Sequence, residues 1–386
     1  MGAARLLVTG CPAYGHLLPM LPLIRAAERA GLEVRVATGP DLVPPMRRRG
    51  LDAVGAGPAF AALWEAHEAA LEGMADAPEM EQAIAGATAL FGATAPPRLR
   101  DLEELCRDWR PDVIVHDTLE LAGPMLARRL GVPSVVHGFG PMFGLYAWLG
   151  PLTGSAAGEP DLWEYLAAAP CLDICPPSLQ PEGPPPWEHT FALRPSAGEP
   201  ATAELPADVA GLLASPRPLA YLTLGTVTNA AAGELATGIE ALRPLDLNVV
   251  VTTGPGVPRD GLGPLPPNVV AAEFVPQAAL LSRADVLVSQ CGAGTMLGAL
   301  CHGVPQVCLP RGTDQPQNAA SVAQAGAGVV VAPADFGVDA IRAAVEEVRR
   351  VPSYTEAARL VQAEIHAMPS ADSVLERVLE QVLAGL

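Results

Sequence analysis

The chain has 386 residues, half of them hydrophobic and 17% charged, a composition that builds two or three globular domains with a core each. Its net charge of -18 provides no basic surface for displacing counterions from a nucleic acid or for holding an anionic membrane. All 24 basic residues are arginine, and the absence of lysine excludes Schiff-base, pyridoxal-phosphate and Walker-type lysine chemistry.

Residues 5–9 read as a buried strand ending at Gly10, residues 17–30 as a helix closed by Gly31, and residues 32–38 as a second strand. This is a βαβ unit, and it implies a parallel sheet. Between the first strand and the helix lies Gly10-Cys11-Pro12-Ala13-Tyr14-Gly15-His16, whose glycine spacing fits neither a dinucleotide fingerprint nor a phosphate loop. His16 is thereby placed at the carboxyl edge of the sheet, where open α/β folds hold their ligands, although a lone histidine is as often structural. Arg47-Arg48-Arg49 ends a predicted helix before Gly50 and reads as charge complementing a helix C-terminus. Phe60, Trp64 and His67 follow in a helix-like stretch.

Residues 112–116 form the next strand, with Asp117 at its end, residues 122–130 a helix, and residues 132–137 a further strand. Asp117 caps the following helix or serves the carboxyl edge, while His116 alternates to the opposite face. Phe139, Met142, Phe143, Tyr146 and Trp148 cluster after that strand; such side chains line an apolar pocket or fill a core equally well. Cys171 and Cys175 lack a second pair to complete a tetrahedral metal site. An odd total of seven cysteines points to buried free thiols in a reducing cytosol.

Residues 194–218 carry five prolines among Ala, Ser and Glu and read as an interdomain linker. A second α/β series follows, with strands over 219–224, 247–252, 269–274, 285–289 and 306–309. After the fourth of these comes Gly292-Ala293-Gly294-Thr295 and then a helix start. Unpaired N–H groups and the positive end of the helix dipole would make this turn an anion cradle, with an ordinary strand-to-helix turn as the alternative. A helical tail runs from residue 357; its last part has apolar residues at helical spacing, Val374, Leu375, Val378, Leu379, Val382 and Leu383. The apolar run before Pro12 is too short for a signal peptide and no stretch is long enough to span a bilayer, so a cytoplasmic location is expected.

Taken together, these segments resemble the family 1 glycosyltransferases of the GT-B fold, in particular the bacterial branch that decorates natural products such as antibiotics. Phe274-Val275-Pro276-Gln277 is similar to the family's nucleobase segment, Asp314-Gln315 followed by Asn318 to its sugar motif, and the glycine turn lies between them. Leu224-Gly225-Thr226, the Gly15-His16 pair with Pro19, and Asp117 extend the likeness over most of the chain; it is weakest over residues 55–97.

The resemblance implies an α/β fold of two Rossmann-like domains facing across a cleft. Residues 1–194 would bind the acceptor, 195–218 link, 219–360 bind the nucleotide sugar, and 361–386 form a helix packing back on the N-terminal domain. His16 would be the general base and Asp117 its orienting acid. Thr226, Gln290, Gly292, Gly294 and Thr295 would hold the donor diphosphate, Phe274, Val275 and Gln277 the base, and Asp314 and Gln315 the sugar. Phe60, Trp64, Phe139, Met142, Phe143 and Tyr146 are the acceptor candidates. The co-substrates would be a TDP- or UDP-sugar, with a deoxysugar on TDP expected, and an apolar aglycone such as a polyketide. One base and no second carboxylate nucleophile imply inversion. No cofactor and no metal are expected, since no Asp-x-Asp cluster is present; self-association as a homodimer is left open. The chain departs from the family at Gln290, where a histidine is usual, and a glutamine amide donates a hydrogen bond without ever becoming cationic. Two other readings stand beside this one: a nucleotide-sugar epimerase, and an auxiliary protein that binds the sugar nucleotide without transfer.

Overall fold

The computed structural model describes residues 3–141, 159, 161–183, 186–196, 198, 202–225, 232–254 and 257–383. Contacts divide the chain into two compact units. The first comprises Met1–Cys175, Glu182–Leu193 and Pro369–Leu386, the second Pro176–Pro181 and Arg194–Met368.

In the first unit, β1 (Arg5–Thr9), β2 (Glu33–Thr38), β3 (Ala53–Gly55), β4 (Val113–Asp117), β5 (Ser134–His137), β6 (Cys171–Asp173) and β7 (Thr190–Ala192) form a parallel sheet in the order β3-β2-β1-β4-β5-β6-β7. Leu6, Leu7 and Val8 have no exposed surface, as expected of a strand covered on both faces. The chain builds outward from β1 to β3, then returns to the other side of β1. A topological switch point therefore lies between β1 and β4, where open sheets part their connections and leave a crevice. Thr9 is in register with His116, so Gly10 and Asp117 leave the sheet side by side.

The helix expected over 17–30 is broken into a helical turn Tyr14–Leu17, a 3-10 turn Leu18–Met20 and a helix Leu21–Arg29. Pro19 and Pro22 supply no N–H to a continuous ladder, which explains the interruption. Leu21–Arg29 buries Leu23, Ile24, Ala26 and Ala27. The last helix, Ala371–Leu383, packs on Leu21–Arg29 with Val374, Leu375 and Val378 buried, and Arg29 grips both Asp372 carboxylate oxygens at 2.7 and 2.9 Å.

The second unit repeats the plan. Strands β8 (Leu219–Thr223), β9 (Asn248–Thr252), β10 (Val269–Ala272), β11 (Val286–Ser289), β12 (Gln306–Cys308) and β13 (Gly328–Val330) form a parallel sheet in the order β10-β9-β8-β11-β12-β13. Its switch point lies between β8 and β11, with Thr223 in register with Ser289. Alternate residues serve opposite faces: Leu222, Val249, Val251, Val286 and Val288 join one core cluster, and Tyr221, Val250 and Leu287 the other.

The 195–218 segment, expected to link the domains, contains a helix, Ala207–Leu212, whose Val209 joins Leu213 in the second unit's core. Its Pro206 stands just before the first turn, where a missing N–H costs nothing, so here proline starts a helix instead of breaking one. The boundary drawn at 360/361 falls inside the helix Pro352–Ala367 of the second unit, and the return to the first unit comes at Pro369. Among the described residues, no helix is long and apolar enough to cross a membrane.

Candidate active site

At the switch point of the first sheet, the chain turns sharply after Gly10, where a Cβ would come within 2.8 Å of the Leu17 side chain. That close return lets Tyr14–Leu17 present His16 over the end of β4. His16 Nδ1 lies 3.0 Å from Asp117 Oδ2. Asp117 is 1% exposed, and the His16 side chain retains 16% exposure. Burial acts to raise the Asp117 carboxyl, but the charge and hydrogen bond of His16 outweigh it, and the group is held below its ordinary range. An ionised carboxylate only accepts, so the proton of the pair sits on His16 Nδ1 and Nε2 is left basic. Phe139 and Phe91 flank the imidazole, with ring centroids 4.9 and 5.8 Å away.

Beneath this pair is a buried polar cluster that the sequence did not reveal. Glu120 accepts hydrogen bonds from the N–H groups of Ala122 and Gly123, at the start of the helix Ala122–Leu130, and from Thr9 Oγ1 at 2.5 Å. It thus ties the end of β1 to the turn that follows β4. Arg98, 2% exposed, reaches Glu120 at 3.5 Å and keeps its Nε and Nη2 without partners. His116 and His137 each donate Nδ1–H to a backbone carbonyl, that of Asp117 at 3.1 Å and that of Gly138 at 2.6 Å. Burial lowers the pKa of both, that of His137 to about 4. Their Nε2 atoms are buried without a partner.

At the switch point of the second sheet, Gln290 follows β11, Cys291 takes a left-handed conformation at φ 65°, and Gly292 caps the helix Ala293–Cys301. The first N–H groups of such a helix have no carbonyl one turn back, and above Gly294 a Cβ would meet open space. Gln290 is buried, with its amide nitrogen packed on the backbone of Gly225 at the end of β8 and its Oε1 without a partner. Gly225 has φ 78°, and any side chain there would collide with Gln290. Thr295 Oγ1 accepts from Gln277 Nε2 at 3.4 Å, which links the Phe274–Gln277 segment to this turn. Phe274 is 54% exposed, whereas Val275 is buried in the core and has only its backbone to offer a ligand.

Asn318, fully buried, donates to the Cys291 carbonyl at 3.0 Å and to Asp314 at 2.6 Å, joining the glycine turn to the Asp-Gln motif. Gln315 differs from expectation in one respect. Its Oε1 accepts from the N–H groups of Arg311 and Gly312, so the side chain braces its own loop and only its amide nitrogen remains for a ligand.

The acceptor candidates part company. Phe139 stands against His16, but Phe60 and Trp64 stack on one another at 6.0 Å, with Trp64 meeting His67 at 4.8 Å. Met142, Phe143, Tyr146 and Trp148, and Thr226 of the diphosphate set, lie outside the described residues. Sequence reasoning missed Phe91, in the π-helical turn Thr88–Gly92 of the least family-like stretch, and Cys11, whose thiol lies within 4.8 Å of ligand atoms of His16 and Asp117. All the cysteines but the half-buried Cys301 are buried.

Known proteins resemble the chain over most of its length. Residues 25–184 and 236–381 match the N-terminal and C-terminal domain models of the erythromycin biosynthesis protein CIII-like family. The chain is 31% identical to the elloramycin glycosyltransferase ElmGT of Streptomyces olivaceus, over 97% of this chain and 96% of that one. Among solved structures, the spinosyn rhamnosyltransferase SpnG complexed with thymidine diphosphate superposes with a TM-score of 0.79 at 26% identity, covering 98% of this chain and all of the other. The Streptomyces sp. SF2575 glycosyltransferase SsfS6, also complexed with thymidine diphosphate, gives 0.77 at 27% identity over 98% and 99% of the two chains. The two parallel-sheet α/β units are those of the GT-B fold, as the sequence resemblance implied.

Proposed function

Since the chain belongs to the family of erythromycin biosynthesis protein CIII-like glycosyltransferases, we propose that it transfers a deoxysugar from a thymidine diphosphate donor to an apolar natural-product acceptor, with inversion at the anomeric carbon. The observation that carries this reading is the His16–Asp117 pair at a sheet switch point, 3.0 Å apart with the carboxylate buried. Asp117 fixes the Nδ1–H tautomer and favours the imidazolium that forms. His16 Nε2 takes the proton of the acceptor hydroxyl as its oxygen attacks the anomeric carbon, a contribution of roughly 10²–10⁴ in rate.

As the glycosidic bond breaks, negative charge collects on the diphosphate. The free N–H groups over Gly292–Thr295 and the dipole of the helix Ala293–Cys301 meet that charge. Phe274 offers its exposed ring to the base, and Asp314, with the Gln315 amide, takes sugar hydroxyls. The acceptor would lie along Phe139 and Phe91, whose rings already flank the imidazole. Donor binding without transfer, the reading that Gln290 suggests, leaves the buried carboxylate aimed at His16 without a purpose.

Incubation with several TDP- and UDP-sugars and a panel of apolar acceptors, read by mass spectrometry, tests the substrate class. His16→Ala should lose roughly 10²–10⁴ of kcat while still binding donor, and full turnover by that variant would overturn the base assignment. Gln290→His, by adding a charge-assisted donor, should tighten TDP binding about fivefold, the worth of roughly 1 kcal/mol. An unchanged Kd in calorimetry would refute the account of Gln290.

A further inference from the structure

We propose that Cys11, His16 and Asp117 form a binding site for a zinc-type divalent ion, and that occupying it switches the enzyme off. One ligand atom from each of the three lies within 4.8 Å of those of the other two. Ligands at 2.0–2.3 Å from a tetrahedral ion stand roughly 3.5 Å apart, so the group needs to close by about 1 Å, a matter of side-chain rotation. The ligands come from the ends of two neighbouring strands: Cys11 and His16 follow β1, and Asp117 ends β4. Strand pairing therefore holds them in place before any ion arrives.

A second observation points the same way. Asp117 Oδ1 is buried with no hydrogen-bond partner, an electron pair free for a cation beside the thiol and the imidazole. A thiolate, an imidazole and one carboxylate suit Zn2+ or Co2+ and do not suit Mg2+ or Ca2+, which prefer oxygen throughout. Three protein ligands leave a fourth position for water, on the side where His16 is exposed.

The proton balance is simple. The thiol proton goes to solvent, the imidazole proton moves from Nδ1 to Nε2 so that Nδ1 takes the ion, and one proton is released per ion bound. Asp117 and Glu120 draw the cation in, while Arg98 opposes it and His137 stays neutral. A thiol must give up its proton to bind the ion, so the affinity rises with pH. Coordination removes the Nδ1–H hydrogen bond to Asp117 and occupies Nε2 with a proton, leaving no base.

Binding itself stands without the proposed reaction; only the kinetic consequence rests on it. The full-length protein, stripped with a chelator, is titrated with CoCl2. One equivalent should produce a near-ultraviolet thiolate-to-cobalt band with visible d–d bands of a four-coordinate ion, displaced by ZnCl2 and untouched by MgCl2. Cys11→Ala should lose the near-ultraviolet band and weaken binding at least about tenfold, the loss that removal of even an outer partner causes. Should that variant not fold, His16→Gln should keep the thiolate band and shift the d–d bands. Zn2+ should inhibit sugar transfer reversibly, about tenfold more tightly per pH unit between pH 6 and 8. No thiolate band in the native protein, or a band retained in Cys11→Ala, overturns the site; transfer insensitive to Zn2+ at an occupied site overturns the switch. A cobalt site in a chain that transfers no sugar would instead refute the catalytic reading alone.

Discussion

His16, His116 and His137 stand at or after the carboxyl ends of three neighbouring strands, and burial separates their chemistry. His16 keeps a face to solvent and a carboxylate on the other, which suits proton transfer. His137 is sealed in, held neutral with a pKa of about 4 against an ordinary 6.5. A depressed folded pKa means that its contribution to stability is complete above pH 6.5 and is lost as pH falls through 4, in total about 3 kcal/mol. Urea unfolding at steps between pH 7 and 4 should show that loss, and His137→Asn, which can keep a donor toward Gly138, should flatten it; an equally steep decline would refute the assignment. Asp117, also depressed, adds a loss at still lower pH. Asp117→Asn should remove the charge that favours imidazolium and cut kcat by about a hundredfold or more, with little change in donor Kd. Arg98→Met should leave Glu120 short of its ion-pair partner in the interior, at a cost of about 3–5 kcal/mol in chemical denaturation. Neither Arg98 nor Glu120 carries a sequence signature. Arg98 and Glu120 look like ordinary helix and turn residues until Gly57, with φ 76° and no side chain, is found making room for the guanidinium.

Among elements, nine strands were readable to within one or two residues because runs such as Leu6-Leu7-Val8 and Val286-Leu287-Val288 are unbroken and apolar, as a strand covered on both faces needs, whereas the three-residue strands β3, β6, β7 and β13 were not foreseen. The proline-rich pieces were less legible. The same residue interrupts the helix after Leu17 and begins the one at Ala207, and its effect depends on whether an N–H is wanted at that position. The glycine turn was seen, but its support was not. Asn318 ties the Cys291 carbonyl to Asp314, so the diphosphate turn and the sugar motif move as one piece. Asn318→Ala should leave that carbonyl unsatisfied, lower stability by about 1–3 kcal/mol and raise the donor KM; a normal KM would separate the two motifs. Gly225→Ala should impair donor binding more than any neighbouring substitution, because it strains a positive φ and drives into Gln290.

At the scale of the whole chain, the final helix belongs to the first unit although it follows the second in sequence. Three buried side chains, Val374, Leu375 and Val378, hold it on Leu21–Arg29, at about 1.5–3 kcal/mol each. Deleting residues 369–386 should therefore destabilise the first unit by about 5 kcal/mol or more, whereas Asp372→Ala, which removes only an exposed ion pair, should cost less than about 1 kcal/mol. Equal effects in thermal unfolding would show that the ion pair, and not apolar burial, holds the helix. The periodicity of the tail announced a helix with one apolar face, but its partner surface was not written in it.

What the residues determined by themselves were properties set by near neighbours: apolar runs, glycine turns, the exclusion of lysine chemistry, and the order of the base, phosphate and sugar motifs between 274 and 318. The tertiary structure alone decided which distant residues meet. His16 and Asp117 are 101 positions apart, and Cys11, Phe91 and Arg98 join them because β4 pairs with β1 and not with β3. Strand order follows from burial and hydrogen bonding summed over the sheet, and a sum of that kind leaves no mark at the single positions it brings together.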